Sequence, residues 1–470
     1  MKQWKLVGIV SVVVVSGALC WSVLGFGAYS SNQNDQDVGN FLTVYPFARS
    51  TKLDDCVLCH PGGSITQGGK TTSYGSCDYC HLTYGLQPPH GNVPLNAYGQ
   101  AYKGAGRNQD AIKSIETADS DGDSFSNATE IQALTFPGEK KDYPGLFPAP
   151  VVVMNYERIL KLRAYSQFFL NNASKSTDWY ARYYGARISD LLKAVGIRSE
   201  ATQITVFAPD GFSKTFPIDA ADPQTAPNIQ YDVMGTYPNA YYYGGLDFVE
   251  YGYDPGYPDG YKIPDKLYML LGYLRDGDPM NKGQLKPDPA NPARLALEGE
   301  GPYRLIVPQK VPGGPDRPST AKAVGDGWDY DANKDHNAGS SVRSMTAIRV
   351  EPLPTGTTDF SWTEGGWNLV DQGRLVIYGA INPHAYSISG KIADASGNPV
   401  SGVKLSFALE NLGQVGSTTS DGAGKFKTAL PPGEYVMIAS KEGLIFDPAS
   451  VPFSLSEKGY KMDFVASPAP

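Results

Sequence analysis

The sequence predicts an exported, multidomain chain. It reads as a loop-rich, partly helical amino-terminal module, a middle region of strand-like runs and turns with a short helix, and an all-β sandwich at the carboxyl end. Three observations lead there. Outside an apolar leader, every cysteine falls in two short frames between residues 56 and 80. Gly (52), Pro (36) and Tyr (30) are plentiful, a mix that suits strands and ordered loops better than a helical bundle. Residues 386–467 repeat apolar runs of period two separated by turns. At ~100–200 residues per domain the chain holds two to four domains. Its 41% hydrophobic and 19% charged residues exclude a disordered chain and a polytopic membrane protein. With 48 Asp and Glu against 40 Lys and Arg there is no basic surplus, which argues against nucleic acid as the main partner.

Lys2 and Lys5 precede residues 6–24, which carry no charge, and small residues follow at Gly25, Gly27 and Ala28. That is the pattern of a secretory signal, and at ~17–25 apolar residues it also suffices for an uncleaved anchor. Residues 1–28 are therefore read as a signal peptide or membrane anchor, and membrane contact is expected only through a retained anchor. Cys20 lies inside the run behind Gly17-Ala18-Leu19, a poor lipoprotein signal, so it is removed or buried in lipid. The rest is expected in the periplasm or at the outer surface of a bacterium.

Cys56-Val57-Leu58-Cys59-His60 and Cys77-Asp78-Tyr79-Cys80-His81 repeat one C-x-x-C-H frame. Two thiols at this spacing form thioethers to the two vinyl groups of one haem, and the adjacent His offers imidazole to its iron. A four-Cys zinc ribbon, a redox dithiol and structural disulfides also use C-x-x-C pairs, but none of them needs the His. Two of the chain's five His stand at those places. On these motifs residues 45–145 resemble a small, loop-rich di-haem c-type cytochrome. The resemblance implies two covalently attached haems on Cys56, Cys59, Cys77 and Cys80, with His60 and His81 as proximal axial ligands. His90, in Pro88-Pro89-His90-Gly91, is a candidate distal ligand, and the remote His336 and His384 are further candidates. No Met lies between residues 2 and 153 to take that place.

Residues 119–130 run Asp-Ser-Asp-Gly-Asp-Ser-Phe-Ser-Asn-Ala-Thr-Glu. Asp119, Asp121, Asp123, Asn127 and Glu130 put side-chain oxygens at loop positions 1, 3, 5, 9 and 12, and Phe125 offers a backbone carbonyl at position 7. This is the twelve-residue calcium pattern of an EF-hand-like loop. It departs at position 6, where Ser124 replaces the usual Gly and a Gly stands two places earlier. Ile112 and Ile115 before the loop, and Ile131 and Leu134 after it, are spaced for flanking helix faces. A solvated acidic turn is the bland alternative. Calcium here is expected to be structural, pinning this module to the next domain of the chain.

Residues 150–383 form the middle domain. Residues 188–195 read as a short amphipathic helix ended by Gly196, 204–208 and 212–218 as strands around Pro209-Asp210-Gly211, and 267–275 as an apolar stretch closed by Gly277. With Glu298-Gly299-Glu300-Gly301-Pro302-Tyr303-Arg304-Leu305-Ile306-Val307-Pro308, these segments in this order resemble the molybdopterin-binding domain of the sulfite oxidase family, over about 185–380. The resemblance implies a mixed α+β fold and oxidoreduction at molybdenum. That family's metal-binding Cys is missing: this chain offers Asn171, Asn172 and Ser174, and no Cys follows residue 80. An amide or hydroxyl does not replace a soft thiolate, so molybdopterin is not expected and no catalytic residue is assigned. Asp329, Asp331, Asn333 and Asp335 read as a polar turn or a second cation site. Tyr241, Tyr242, Tyr243, Tyr251, Tyr253, Tyr257 and Tyr261 read as packing, a binding surface or a contact to a haem edge. Arg304, Arg317, Arg343 and Arg349 read as ion pairs or the lining of an anion pocket.

Residues 386–467 resemble carboxypeptidase-regulatory-like domains, a resemblance that implies docking, spacing or adhesion and no catalysis. The function expected of the whole is electron transfer by an exported di-haem c-type cytochrome, with redox partner proteins or an extracellular acceptor. The alternative is an oxidoreductase using a molybdopterin-type or haem site with the haems as relay.

Overall fold

The computed structural model describes residues 36–48, 51, 53–54, 58–60, 64–67, 70–73, 95–174, 177–209, 212–219, 231–243, 256–258, 260–263, 266–288, 291–316, 330–358, 366–409, 413–456 and 458–469. The leader at 1–28 and Cys56, Cys77, Cys80, His81 and His90 lie outside them. No described helix is long and apolar enough to cross a membrane.

Among its described residues the amino-terminal module holds four short α-helices, α1 (Gln36–Val44), α2 (Ala97–Ala105), α3 (Gln109–Ser114) and α4 (Asn127–Gln132), and a hairpin of β1 (Ser64–Gln67) and β2 (Lys70–Ser73). Helices this short are marginal alone and depend on packing. Phe41, Leu42, Tyr45, Leu58, Tyr98, Tyr102, Ile112, Ile131 and Phe136 form their common core. Asn96, Asn108 and Ser126 cap α2, α3 and α4 by accepting from the backbone N–H three residues on. The module begins earlier than residue 45. Phe41 and Leu42 of α1 are buried in this core and the Tyr45 hydroxyl donates to Glu116 Oε1 at 2.8 Å.

The middle domain stacks two sheets. The first uses β4 (Val151–Asn155), β7 (Gln203–Phe207), β8 (Ser213–Pro217), β16 (Ala347–Glu351) and β18 (Arg374–Gly379) in the order β4-β18-β16-β7-β8, all antiparallel except β16 with β18. The second uses β5 (Ala164–Asn171), β6 (Trp179–Arg187), β11 (Leu270–Arg275) and β12 (Asp278–Pro279) in the order β12-β11-β6-β5, with β15 (Arg304–Ile306) also on β11. Between the sheets lie Met154, Ile204, Val206, Ile348, Val350, Leu375 and Ile377 from one and Leu271, Tyr273 and Leu305 from the other. Helix α6 (Ile188–Ala194) adds Ile188, Leu191 and Leu192 and ends where Gly196 turns left-handed, as its sequence predicts. Two of the remaining pairs are β9 (Tyr241–Tyr242) with β10 (Tyr261–Lys262), and β13 (Gln284–Asp288) with β14 (Asn291–Glu298). A third is β3 (Phe147–Pro148) with β17 (Thr357–Thr358). Within the middle domain, described helix is otherwise confined to α5 (Tyr156–Leu160), α7 (Gly366–Gln372) and a 3-10 turn at Asn337–Ser340. The chain is multidomain and largely β with few helices, so the middle domain is less evenly mixed than its resemblance implies.

The carboxyl-terminal module is a sandwich. One sheet runs β22-β19-β27-β24, with β26 on β19, and uses β19 (Tyr386–Asp394), β22 (Lys425–Leu430), β24 (Leu444–Asp447), β26 (Tyr460–Lys461) and β27 (Phe464–Pro468). The other runs β21-β20-β23-β25, using β20 (Lys404–Leu409), β21 (Gly413–Thr419), β23 (Gly433–Ser440) and β25 (Ser450–Leu455). Burial alternates strictly along β25, the period-two signal made physical. Its core is continuous with Val151, Val153, Val376 and Tyr378 on the outer face of the first middle sheet. Arg158 reinforces that joint, donating through Nη1 to the carbonyls of Val153 (2.6 Å) and Pro432 (3.0 Å).

Two glycines test this packing with opposite signs. A methyl at Gly185 on β6 collides with the Leu271 backbone on β11, so Gly185→Ala is expected to cost about 1–3 kcal/mol. Gly39, exposed in α1 with open space around it, is expected to gain about 0.5–1 kcal/mol as Ala. Denaturant unfolding of both variants measures the difference.

Candidate functional site

The loop between α3 and α4 gathers carboxylates. Oxygens of Asp119, Asp121 and Asp123 lie within 4.8 Å of one another. Asp119 shapes the loop: its carboxylate accepts from the N–H groups of Gly122 (2.8 Å), Asp123 (3.1 Å) and Ser124 (2.9 Å). Those bonds, led by Ser124, hold its carboxyl below the usual range. Asp123 Oδ1 accepts from Phe125 N–H at 2.8 Å, and the Phe125 ring stacks on Tyr143. The chain closes on itself through Asn127 N–H to Ala118 O at 2.7 Å.

Glu130, on α4, is fully buried, and neither carboxylate oxygen has a hydrogen-bond partner. Both oxygens of Asp121 and Oδ2 of Asp123 are likewise buried and unpartnered. Burial first, and then Asp121, Asp123 and Asp119 in turn, push Glu130 up to about 9. Burial followed by Asp123 lifts Asp121 to about 6. An uncompensated buried carboxylate costs several kcal/mol, and here the converging atoms are all hard oxygens. The three aspartates form a hard-oxygen cluster of the kind that holds a calcium-class cation, and Glu130 lies within reach of their charge.

Asn127 ties the loop's two ends: its Oδ1 accepts from Ser120 N–H (3.2 Å) and its Nδ2 donates to Ile115 O (2.7 Å). At position 6, where the sequence lacks the usual Gly, Ser124 adopts φ 87°, in the left-handed region, alongside Gly122 at φ 78°.

The described part of the first cysteine frame, residues 58–60, sits against the start of α2. Leu58 is buried and Cys59 lies at the edge of the helical core. Asn96 holds the turn: its N–H donates to Cys59 O (2.9 Å) and its Nδ2 to Leu58 O (3.0 Å), with a longer contact to His60 O (3.4 Å). Gly99 permits the approach, since a methyl there would collide with the Cys59 carbonyl. The Tyr98 hydroxyl is buried without a partner, and burial followed by the nearby Cys59 raises its pKa. The Cys59 thiol thus lies at the edge of an aromatic core, close to the orphaned Tyr98 hydroxyl.

The other candidates are dispersed. His336 shares Nε2 with Asp316 Oδ2 at 3.1 Å and stacks on Tyr330, while His384 packs edge-on to Tyr386. His384 also lines a cleft of about 690 Å³ between the middle domain and the sandwich. Asn171 and Asn172 are fully buried, and all four of their side-chain amide atoms lack partners. Amides supply no thiolate, so these residues do not fit molybdenum. Arg304 pairs with Glu300 and Arg349 with Glu351 (2.9 Å), Arg343 is exposed, and Arg317 lies outside the described residues. Asp331 accepts from Asn333 as in a polar turn, and Asp335 accepts from Tyr231 and Lys310. Asp329 is outside the described residues. Tyr242 packs against the rings of Phe168 and Tyr180, Tyr257 against those of Phe168 and Tyr242, and Tyr261 stacks on Tyr257, while Tyr251 and Tyr253 lie outside the described residues. Sequence reasoning missed Asn96, Thr135 and Asp142. Asn96, ahead of the helix at Ala97, carries a capping signal; Asp142 carries none.

Ser124→Gly removes the left-handed strain, about 1 kcal/mol, and is expected to tighten calcium binding several-fold. Glu130→Gln is expected to weaken it by at least tenfold. Calorimetric titration with calcium chloride checks both.

No curated protein matches the chain in sequence. Solved structures resemble about a fifth of it. A streptococcal ancillary pilin shares 15% identity over 20% of this chain and 35% of its own, with TM-score 0.16. The 3-chlorocatechol 1,2-dioxygenase of Rhodococcus opacus shares 12% over 18% and 60%, with TM-score 0.15. The 5-hydroxyisourate hydrolase of Klebsiella pneumoniae shares 20% over 18% and 92%, with TM-score 0.15. The chain thus spans about a third and three fifths of the first two. One family matches, over residues 387–460: the sandwich at the end of the chain is a carboxypeptidase regulatory-like domain.

Proposed function

We propose that the protein is an exported di-haem c-type cytochrome that carries electrons in the periplasm or at the cell surface, with a calcium-braced helical module. The observation that carries this reading is the duplicated Cys-x-x-Cys-His frame at 56–60 and 77–81. Export supports it, since bacterial c-type haem is attached outside the cytoplasm, and a leader-like segment precedes the module. Bound haem supplies an iron that alternates between Fe(II) and Fe(III). Within this chain, Cys59 and His60 anchor and ligate, and Asn96 fixes the backbone they sit on. Phe41, Leu58 and Tyr98 keep water from that edge.

Calcium at Asp119, Asp121, Asp123 and Glu130 is part of the same proposal, supported by the orphaned oxygens of Glu130. The middle domain is read as a sulfite-oxidase-type fold whose metal thiolate is absent. The sandwich serves docking or spacing toward a redox partner protein or an extracellular acceptor. The acidic surplus of the whole chain favours a partner with a basic contact surface.

Protein matured in a host with haem-attachment machinery is expected to give an alkaline pyridine spectrum of two covalent haems per chain. Metal analysis is expected to give two irons, one calcium and no molybdenum. Replacing Cys56 and Cys59 by Ser should halve the haem content. Less than one covalent haem in the parent protein would sink the reading, and stoichiometric molybdenum would favour the enzyme alternative.

A further inference from the structure

The segment from Thr135 to Asp142 touches three separate parts of the molecule. Toward the calcium loop, Thr135 donates to the Glu130 carbonyl through both its N–H (2.9 Å) and its hydroxyl (3.2 Å), the same residue whose carboxylate lies unpartnered in the site. Toward the cysteine-bearing turn, Gly138 packs so closely on the Asn96 side chain that a methyl there would collide with it. Asn96 in turn holds the carbonyls of Leu58 and Cys59. Toward the middle domain, Asp142 is buried, accepts from Phe136 N–H at 2.9 Å and accepts from the Thr358 hydroxyl on β17. Asp142 N–H closes the segment on Glu139 O at 2.7 Å. On the far side, Thr358 O receives Ala149 N–H at 3.0 Å.

We propose that residues 135–142 form a strap through which cation binding at Glu130 fixes both the Cys59–His60 turn and the seat of the helical module on β17, with Asn96 and Asp142 as its positioning residues. The inference rests on the calcium reading above and goes beyond it, because occupancy of a loop is not itself coupling. The physical reason is continuity. Glu130 presents its carboxylate to the site and its carbonyl to Thr135, so ordering one end of the residue orders the other. From Thr135 the route to Thr358 runs through buried Phe136 and Asp142, and the route to Asn96 through the close packing of half-buried Gly138. Binding at one end and order at the other must then favour each other reciprocally.

The test uses the full, matured chain with calcium and with a chelator. Calorimetry reports binding, and amide hydrogen exchange reports order at two N–H groups: Asn96, bonded to Cys59 O, and Ala149, bonded to Thr358 O. Calcium is expected to slow exchange at both by about tenfold, a middling allosteric coupling. Thr358→Val should abolish the effect at Ala149 and keep it at Asn96. Asn96→Ser, which retains the helix cap but loses the donors to Leu58 and His60, should do the reverse. Calcium that binds without altering either amide in the unmutated protein overturns the strap while leaving the calcium site standing. Absence of any calcium binding overturns both.

Discussion

Strands β4 and β18 of the first middle sheet are buried on both faces, and the rest of the molecule is arranged around that constraint. Along β18, residues 375–379 are all buried, with Leu375 and Ile377 facing the second sheet and Val376 and Tyr378 facing the carboxyl-terminal sandwich. A strand covered on both sides loses the alternation that a half-solvated strand shows. Once such a sheet forms, two further layers must meet it. The second sheet with helix α6 supplies one, and the regulatory-like sandwich supplies the other.

The helical module is held differently. Its core is small, its helices run from six to nine residues, and it joins the β-rich body through the pairing of β3 with β17 and the bond from Thr358 to Asp142. Short helices around a modest aromatic core need additional constraint. The loop of Asp119, Asp121 and Asp123 with Glu130 beside it concentrates buried oxygens without donors, and such a group either stays protonated or calls for positive charge next to it. The unpartnered amides of Asn171 and Asn172 are milder cases of the same kind, neutral groups whose burial carries a smaller cost.

Local patterns were legible in the sequence where one residue type does one thing. The period-two runs of the sandwich, the antiparallel strands β7 and β8 and the helix stop at Gly196 all stand where their spacing puts them. What escaped depended on contacts across the chain. Helix α1 hides behind a polar run and is recognised only by what Phe41 and Leu42 pack against. Strand β21 has few large apolar residues and belongs to its sheet through its pairing with β20. Asn127 ties the loop's two ends through Ser120 and Ile115. Asp142 matters only because Thr358, far along the chain, reaches it.

The shared core between β4, β18 and the sandwich also bears on how the molecule comes apart. A regulatory-like domain on a flexible tether would melt as a separate bead and leave its neighbour indifferent. Here the loss of the sandwich would bare Val151, Val153, Val376 and Tyr378 as one contiguous face, the kind of surface that sticks to other chains. Middle domain and sandwich therefore stand or fall as one cooperative unit. The chain's modular ancestry, visible in a family match of only 74 residues, is not a guide to where it can be cut.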